Sequence, residues 1–245
     1  MTADKVNLVI GAGSTIAEAL IRQMLQADNN SRVIAVSRGD KPEALEGQGD
    51  RLLWLLSDYS EASIAQLAER VSQQAPRLHR VFICNGILHG DAYQPEKRLE
   101  DLELASFQEL MTVNALLPLL WLQALKPRLR RSPGCQVTVF SARVGSITDN
   151  AKGGWYAYRA SKAALNMMLK NAAIELNRLR HQVQFLVFHP GTTDTPLSRP
   201  FQDAVPEGKL FTPEFVAGRL LGLLEKLPPE PAIRFLDWDG KAIAW

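Results

Sequence analysis

Short apolar runs alternate along this chain with longer stretches whose apolar residues recur at helical spacing. Val6 to Ile10 is apolar at four of its positions and meets glycine at once, and Ile16 to Leu25 then carries apolar residues at helical period. The opening therefore reads as strand, tight turn, helix. Arg32 to Val36 is a second β-branched run, closed by Ser37-Arg38-Gly39, and Leu52 to Leu56 is a third, closed by Ser57-Asp58. Ser63 to Val71 has helical period, and Val81 to Cys84 is a fourth strand, closed by Asn85-Gly86. A long helix is predicted from about Leu102 to Leu129, with Pro118 inside it as a kink. Gln136 to Phe140 reads as a fifth strand, Trp155 to Leu179 as another long helix, and Val183 to Phe188 as a sixth strand, stopped by Pro190-Gly191. Phe215 to Leu227 reads as a helix ended by Pro228-Pro229, and Ile233 to Leu236 as a last strand.

Strands and helices thus alternate throughout, and several strands are apolar over their whole length, as expected where helices cover both faces of a sheet. The pattern predicts an α/β protein built on a Rossmann-like, doubly wound parallel sheet. No internal repeat or low-complexity linker divides the chain, and 245 residues suit one domain. The segments to watch as loops are 30–31, 145–154 and 197–209.

Composition narrows the function. A formal net charge of +2 gives no electrostatic reason for a nucleic-acid or anionic-membrane partner. No apolar run reaches the roughly 18 residues of a membrane helix. Met1 to Lys5 is polar and does not open a signal peptide, so a cytoplasmic protein is expected. Cys84 and Cys135 border apolar runs and read as buried thiols, neither a disulfide framework nor a zinc site. His79, His89, His181 and His189 show no ligand spacing, so no metal is expected.

Three places carry candidate chemistry. Gly11-Ala12-Gly13-Ser14-Thr15-Ile16-Ala17 lies between the first strand and the first helix. Glycine there lets backbone approach a pyrophosphate at a helix N-terminus, although a Gly-rich turn can also bind nothing. Asp58, closing the third strand, can accept a hydrogen bond from an adenine amine and can equally cap the next helix. Arg38 stands just beyond the second strand, where no acidic residue follows Val36-Ser37. A guanidinium matches a 2′-phosphate, so NADP is favoured over NAD unless Arg38 is simply solvated. Tyr158 and Lys162 are four apart at the start of the helix after the fifth strand, hence on one face. A nearby ammonium is expected to lower the phenol pKa toward working pH, as carbonyl reduction requires of a general acid/base. Asn114, a polar amide in an apolar stretch, is either a satisfied core residue or an amide that positions a water in a proton relay. Trp155 and Tyr156 can border a substrate pocket or pack the helix. Trp238 and Trp245 read as core or subunit-contact aromatics.

Taken in order, the Gly turn, Asp58, Asn85-Gly86, Asn114, Tyr158 to Lys162, and Pro190-Gly191 with Thr195 resemble the short-chain dehydrogenase/reductase family over essentially the whole chain. Ser141 to Ile147, Gly153 to Lys162, His189 to Pro196 and Phe235 to Gly240 are similar to its bacterial C-factor-like branch. The resemblance implies one domain, with a cofactor half to about residue 150 and a catalytic and substrate-loop half beyond. It implies Tyr158 as the proton donor to a carbonyl oxygen, Lys162 on the nicotinamide ribose, Asn114 on a relay water, Thr195 on the carboxamide and Gly86 along the adenosine ribose. Asn85, Ser37, Pro190, Gly191 and Thr192 complete the implied cofactor contacts. A mobile lid is implied at Phe201 to Phe211. A homodimer or homotetramer is implied through the two long helices. Two departures stand out. Thr15 and Ala17 replace the second and third glycines of the usual G-x-x-x-G-x-G turn. Ser141-Ala142 puts alanine where the family has its catalytic serine, which leaves Ser141 as the favoured carbonyl-orienting donor and Ser146 as its rival. The expected activity is NAD(P)-dependent oxidoreduction of a small carbonyl or alcohol. The alternative is a cofactor-binding regulator with little turnover.

Overall fold

The computed structural model describes residues 5–178, 182–230 and 232–245. The predicted helix end at Leu179, His181 and the opening residues Met1 to Asp4 lie outside the described residues. The elements in chain order are β1 (Lys5–Ile10), α1 (Thr15–Ala27), β2 (Ser31–Ser37), β3 (Leu52–Leu56), α2 (Glu61–Gln74), β4 (Arg80–Ile83), α3 (Leu104–Met111), α4 (Leu117–Leu129), β5 (Gln136–Phe140), α5 (Tyr156–Arg178), β6 (Gln184–His189), β7 (Thr192–Thr193), β8 (Leu210–Phe211), α6 (Pro213–Lys226) and β9 (Ile233–Asp237). Seven strands form one sheet in the order β3-β2-β1-β4-β5-β6-β9, every pair parallel. This is the predicted Rossmann-like sheet in a single domain.

Two apolar layers hold the helices to the sheet, and strand alternation sorts side chains between them. In β1, Leu8 and Ile10 face the layer formed by Ile64 of α2, Trp121 of α4 and Leu165 of α5. Val9 faces the other layer, with Leu20 and Ile21 of α1 and Val216 and Leu220 of α6. Burial of each such side chain contributes roughly 1.5–3 kcal/mol. The chain builds outward from β1 to β3 on one side, then returns to start β4 on the other. Between the carboxyl ends of β1 and β4 the strand order reverses, and a crevice opens there.

Three expectations are corrected. The long helix predicted from Leu102 starts at Leu104 and stays helical to Leu129, but it is not uniform: a π-helical turn, Thr112–Leu116, lies between its α3 and α4 stretches. Pro118 lies inside that run, directly after the π turn. It sits in the first turn of α4, where a missing N–H is tolerated. Lacking that N–H, it cannot close an α-turn onto the Asn114 carbonyl, and the preceding turn widens so that Leu117 N–H reaches the Thr112 carbonyl. Cys135 is buried as expected, but Cys84 is only half-buried, because it follows β4 into the crevice. Trp155 is not helical. Its backbone is left-handed, φ 53°, and α5 starts one residue later.

Candidate active site

The crevice at the switch point has a volume of ≈ 630 Å³ and runs from the Gly turn to Tyr158 and Lys162. Gly11 makes its narrow end possible. Its φ is +78°, and a Cβ there would stand 2.8 Å from the Asn85 backbone nitrogen. Gly13 is packed as closely, since a Cβ would lie 2.9 Å from Ser37 Oγ. Ser14 caps α1, its Oγ accepting from Ala17 N–H at 3.2 Å, an interaction worth about 1 kcal/mol. Thr15 Oγ1 is buried without a partner among the described residues, and so is Asn85 Oδ1. Both residues line the crevice, as do Ile16, Ser37 and Gly86.

Arg38 is exposed at the mouth of the crevice, and it also borders a shallower depression of ≈ 710 Å³ that contains Ser57 and Asp58. Asp58 accepts from Ser60 N–H at 2.9 Å, which holds its carboxyl below the usual carboxylate range. The side-chain cap of α2 is Ser60 itself. Tyr59 was not anticipated. Its φ of 62° turns the ring inward, where the hydroxyl accepts from Gly11 N–H at 3.1 Å and donates to the Val36 carbonyl at 3.2 Å. The phenol thereby fixes the first amide of the Gly turn. Its left-handed backbone leaves no mark in a hydropathy pattern.

At the other end, Tyr158 and Lys162 lie one turn apart on α5, 8% and 3% exposed. Lys162 Nζ donates to the Phe140 carbonyl at 3.0 Å and stands 5.8 Å from the Tyr158 ring centroid. Burial lowers the Lys162 pKa to about 8. Burial also pushes the Tyr158 phenol upward, contrary to the expected lowering. The ammonium faces a carbonyl and the ring rather than the phenol oxygen, so removal from water dominates. Gly145 lets the loop after β5 lie directly on Lys162, because a Cβ there would be 2.8 Å from Lys162 Cβ.

Asn114 is fully buried in the π turn. Its Oδ1 accepts from Ile87 N–H at 2.8 Å, and its Nδ2 donates to the Ile87 carbonyl at 2.9 Å and to Ser161 Oγ at 3.0 Å. Its amide thus ties the segment after β4 to α5. A Cβ on Gly86 would lie 3.5 Å from Lys162 Nζ and 3.6 Å from Asn114 Oδ1, so these groups converge there. Ser141 lines the crevice, but its hydroxyl donates to Asn166 Oδ1 at 2.8 Å. Ser146 Oγ accepts from Asp149 N–H at 3.1 Å and does not line the crevice. Ala142 packs against the apolar cluster around Tyr158.

Pro190 and Thr195 line the crevice. Gly191 and Thr192 stand behind it: a Cβ on Gly191 would meet the Phe211 ring at 2.7 Å, and Thr192 pairs with Leu210 in a small sheet. That sheet closes the base of the expected lid, whose 3₁₀ turn Arg199–Ala204 carries Phe201. Phe201 packs on Trp155 at 5.0 Å between ring centroids, and Trp155 packs edge-on against Tyr158 at 6.1 Å. Trp155 therefore both packs and covers the phenol, whereas Tyr156 is exposed. Trp238 packs at a tilt against Phe211, and Trp245 against Phe235.

The sequence model of a family described as short chain dehydrogenase matches residues 5–205. The chain belongs to that family. It is 32% identical over 238 residues, 97% of this chain and 98% of the other, to a 1-hydroxy-2-glutathionyl-2-methyl-3-butene dehydrogenase of Rhodococcus sp. (strain AD45). It is also 36% identical over 147 residues, 60% of this chain and 83% of the other, to C-signal of Myxococcus xanthus. A solved NADPH-bound carbonyl reductase from chicken fatty liver superposes with a TM-score of 0.82 at 25% identity, covering 100% of both chains. As a short-chain dehydrogenase, the protein is an NAD(P)-dependent oxidoreductase.

Proposed function

We propose that this enzyme transfers hydride between NADPH and a small carbonyl or alcohol substrate, with Tyr158 as its acid/base. The observation that carries the reading is the convergence of Tyr158, Lys162, Asn114 and Gly86 at one end of a crevice whose other end is the Gly turn. The crevice fits a dinucleotide: it holds the buried, unpartnered Thr15 Oγ1 and Asn85 Oδ1, and a space at Gly11 that any Cβ would fill. Gly11, Gly13, Ser14, Thr15 and Ile16 would hold the pyrophosphate. Ser37, Arg38 and Asp58 would take the adenosine, and Asn85 and Gly86 the adjoining ribose. Tyr158 and Lys162 would hold the nicotinamide ribose, and Pro190, Gly191, Thr192 and Thr195 the carboxamide. Once bound, the nicotinamide supplies the hydride.

In reduction, Tyr158 Oη gives its proton to the carbonyl oxygen. The high pKa that burial imposes keeps that proton in place until charge develops on the substrate. Lys162, whose pKa burial lowers to about 8, would stabilise by its charge the phenolate left behind. Asn114 keeps Ile87 and Ser161 in register with both groups. Ser141 would orient the carbonyl by exchanging its Asn166 partner for the substrate oxygen, a role that its place in the crevice lining favours over Ser146. Trp155 and Phe201 cover Tyr158 and exclude water when the lid is down.

Arg38 supports the preference for NADPH, as does the lack of an acidic residue at the end of β2. Asp40 also borders the crevice, so the charge balance rests on Arg38. Dissociation constants for NADPH and NADH, read by tryptophan fluorescence on the parent and on Arg38→Ala, test the assignment. The parent should bind NADPH at least about tenfold more tightly, and Arg38→Ala should erase most of the difference. Equal affinities in the parent would refute it. The same reading includes a cytoplasmic homodimer or homotetramer. Leu104, Leu116, Met167 and Ile174 are exposed on the helices α3 to α5 and the intervening π turn. No described helix is long and apolar enough to cross a membrane.

A further inference from the structure

The catalytic helix begins without a capping residue of its own. Gly153, Gly154 and Trp155, which lead into α5, all have left-handed backbones, with φ of 66°, 64° and 53°. A tryptophan holds that conformation only where its surroundings enforce it. No Ser, Thr, Asp or Asn stands next to Tyr156 to take the first N–H groups of the helix. Glu96, on the connection between β4 and α3, meets both needs. Its backbone carbonyl accepts from Trp155 N–H at 2.5 Å, and both of its carboxylate oxygens lie 3.3 Å from Ala157 N. The residue is only 5% exposed. A buried carboxylate needs compensation, and here the positive end of a 23-residue helix faces it.

Ala157 is bonded directly to Tyr158, and the ring of Trp155 lies against the Tyr158 ring. Arg159 closes the arrangement, its N–H donating to the Trp155 carbonyl at 2.8 Å and its Nε to the Gly154 carbonyl at 2.9 Å. One residue from a distant loop thus meets both parts of the helix start: its carboxylate takes the Ala157 amide in the turn that carries the phenol, and its backbone carbonyl takes the amide of the aromatic wall, Trp155. We propose that Glu96 is a positioning residue for Tyr158, which sets the phenol against the crevice by capping the catalytic helix in place of a local cap. The proposal rests on the reading of Tyr158 as the acid. A glutamine keeps the accepting oxygen without the charge, and a leucine keeps the volume and accepts nothing.

The test compares Glu96→Leu, Glu96→Gln and Tyr158→Phe with the parent. Three quantities are read below every melting temperature: kcat and KM with NADPH and phenanthrenequinone, NADPH affinity by fluorescence, and hydrogen exchange of the Ala157 amide. Displacement of a reacting group by an ångström lowers rate by tenfold or more. Glu96→Leu should therefore lower kcat at least about tenfold, with NADPH affinity within about twofold of the parent and Ala157 exchange at least about tenfold faster. Glu96→Gln should recover kcat to within about threefold and restore protection. A leucine variant with parental kcat or parental Ala157 exchange overturns the proposal. If the leucine variant does not fold, Glu96→Asp, which withdraws the carboxylate by one methylene, takes its place with the same expected direction. Should Tyr158→Phe keep full rate, the acid assignment fails, and the exchange arm still decides whether Glu96 fixes the helix start.

Discussion

Replacing Asn114 with alanine should destabilise the enzyme by an amount that its contacts set. The side chain is fully buried and makes three hydrogen bonds, at 2.8 and 2.9 Å to the two backbone groups of Ile87 and at 3.0 Å to Ser161 Oγ. Each such bond is worth about 1 kcal/mol net, so alanine should remove about 3 kcal/mol. The small void left in a closed site adds to that figure rather than offsetting it. For a chain of this size the loss corresponds to a fall in melting temperature of about 6–12 °C. Urea unfolding followed by tryptophan fluorescence measures it, with an unchanged m-value showing that the loss lies in the folded state. Asn114→Asp should be no better, because a carboxylate can accept from Ile87 N–H but puts a second acceptor against the Ile87 carbonyl. A double-mutant cycle with Ser161→Ala should return a coupling of about 1 kcal/mol for the shared bond. A loss below about 1 kcal/mol for Asn114→Ala would show that the three contacts do not hold the segment after β4 to α5.

Burial, aided by Arg143, lowers the His189 pKa from 6.5 to about 4, while Asp237 and Asp149 oppose the shift weakly. The unfolded chain takes up a proton at this site below pH 6.5 and the folded one does not. Stability from this site is therefore complete above 6.5 and falls by about 3 kcal/mol as pH drops to 4. Urea titrations across that range should show the acid limb, flattened in His189→Gln, with a remainder from His79, whose pKa burial also lowers to about 4; an unchanged limb would remove His189 as its source. Thr15→Val keeps shape but deletes the unpartnered hydroxyl, so NADPH affinity should fall about tenfold while Thr15→Ser holds it; equal affinity in the valine variant would mean that the hydroxyl does not reach the pyrophosphate. Sedimentation at micromolar concentration should give a dimer or tetramer, and a monomer of 27.2 kDa would contradict the assembly reading.

The sheet was legible because its strands are short, mostly apolar runs, and those up to β5 are closed by glycine, serine or asparagine. Period alone separated them from the amphipathic helices. The Gly turn, Asn85-Gly86 and Tyr158-Lys162 were legible because they are local. Other features depend on contacts that a single sequence does not display. The π turn at Thr112–Leu116 follows from Pro118, but whether proline bends a helix or widens the turn before it depends on what the neighbouring amide, Asn114, must reach. Tyr59 and Glu96 act across 48 and 61 residues, on Gly11 and Ala157 respectively, and no local pattern marks either. The pKa of Tyr158 was read with the wrong sign, because the sequence showed a cation one turn away and not the burial of the phenol or the direction in which Lys162 points.

The central claim is tested most directly by Tyr158→Phe. The ring stays, with its packing against Trp155, and only the proton is lost. A carbonyl panel with NADPH, followed by nicotinamide absorbance, gives the rate, and fluorescence titration gives the affinity. With a substrate that the parent reduces, the variant should lose activity by at least about 10²-fold and bind NADPH within about twofold of the parent. A variant that reduces the same compound at the parental rate would contradict the assignment of Tyr158 as the acid.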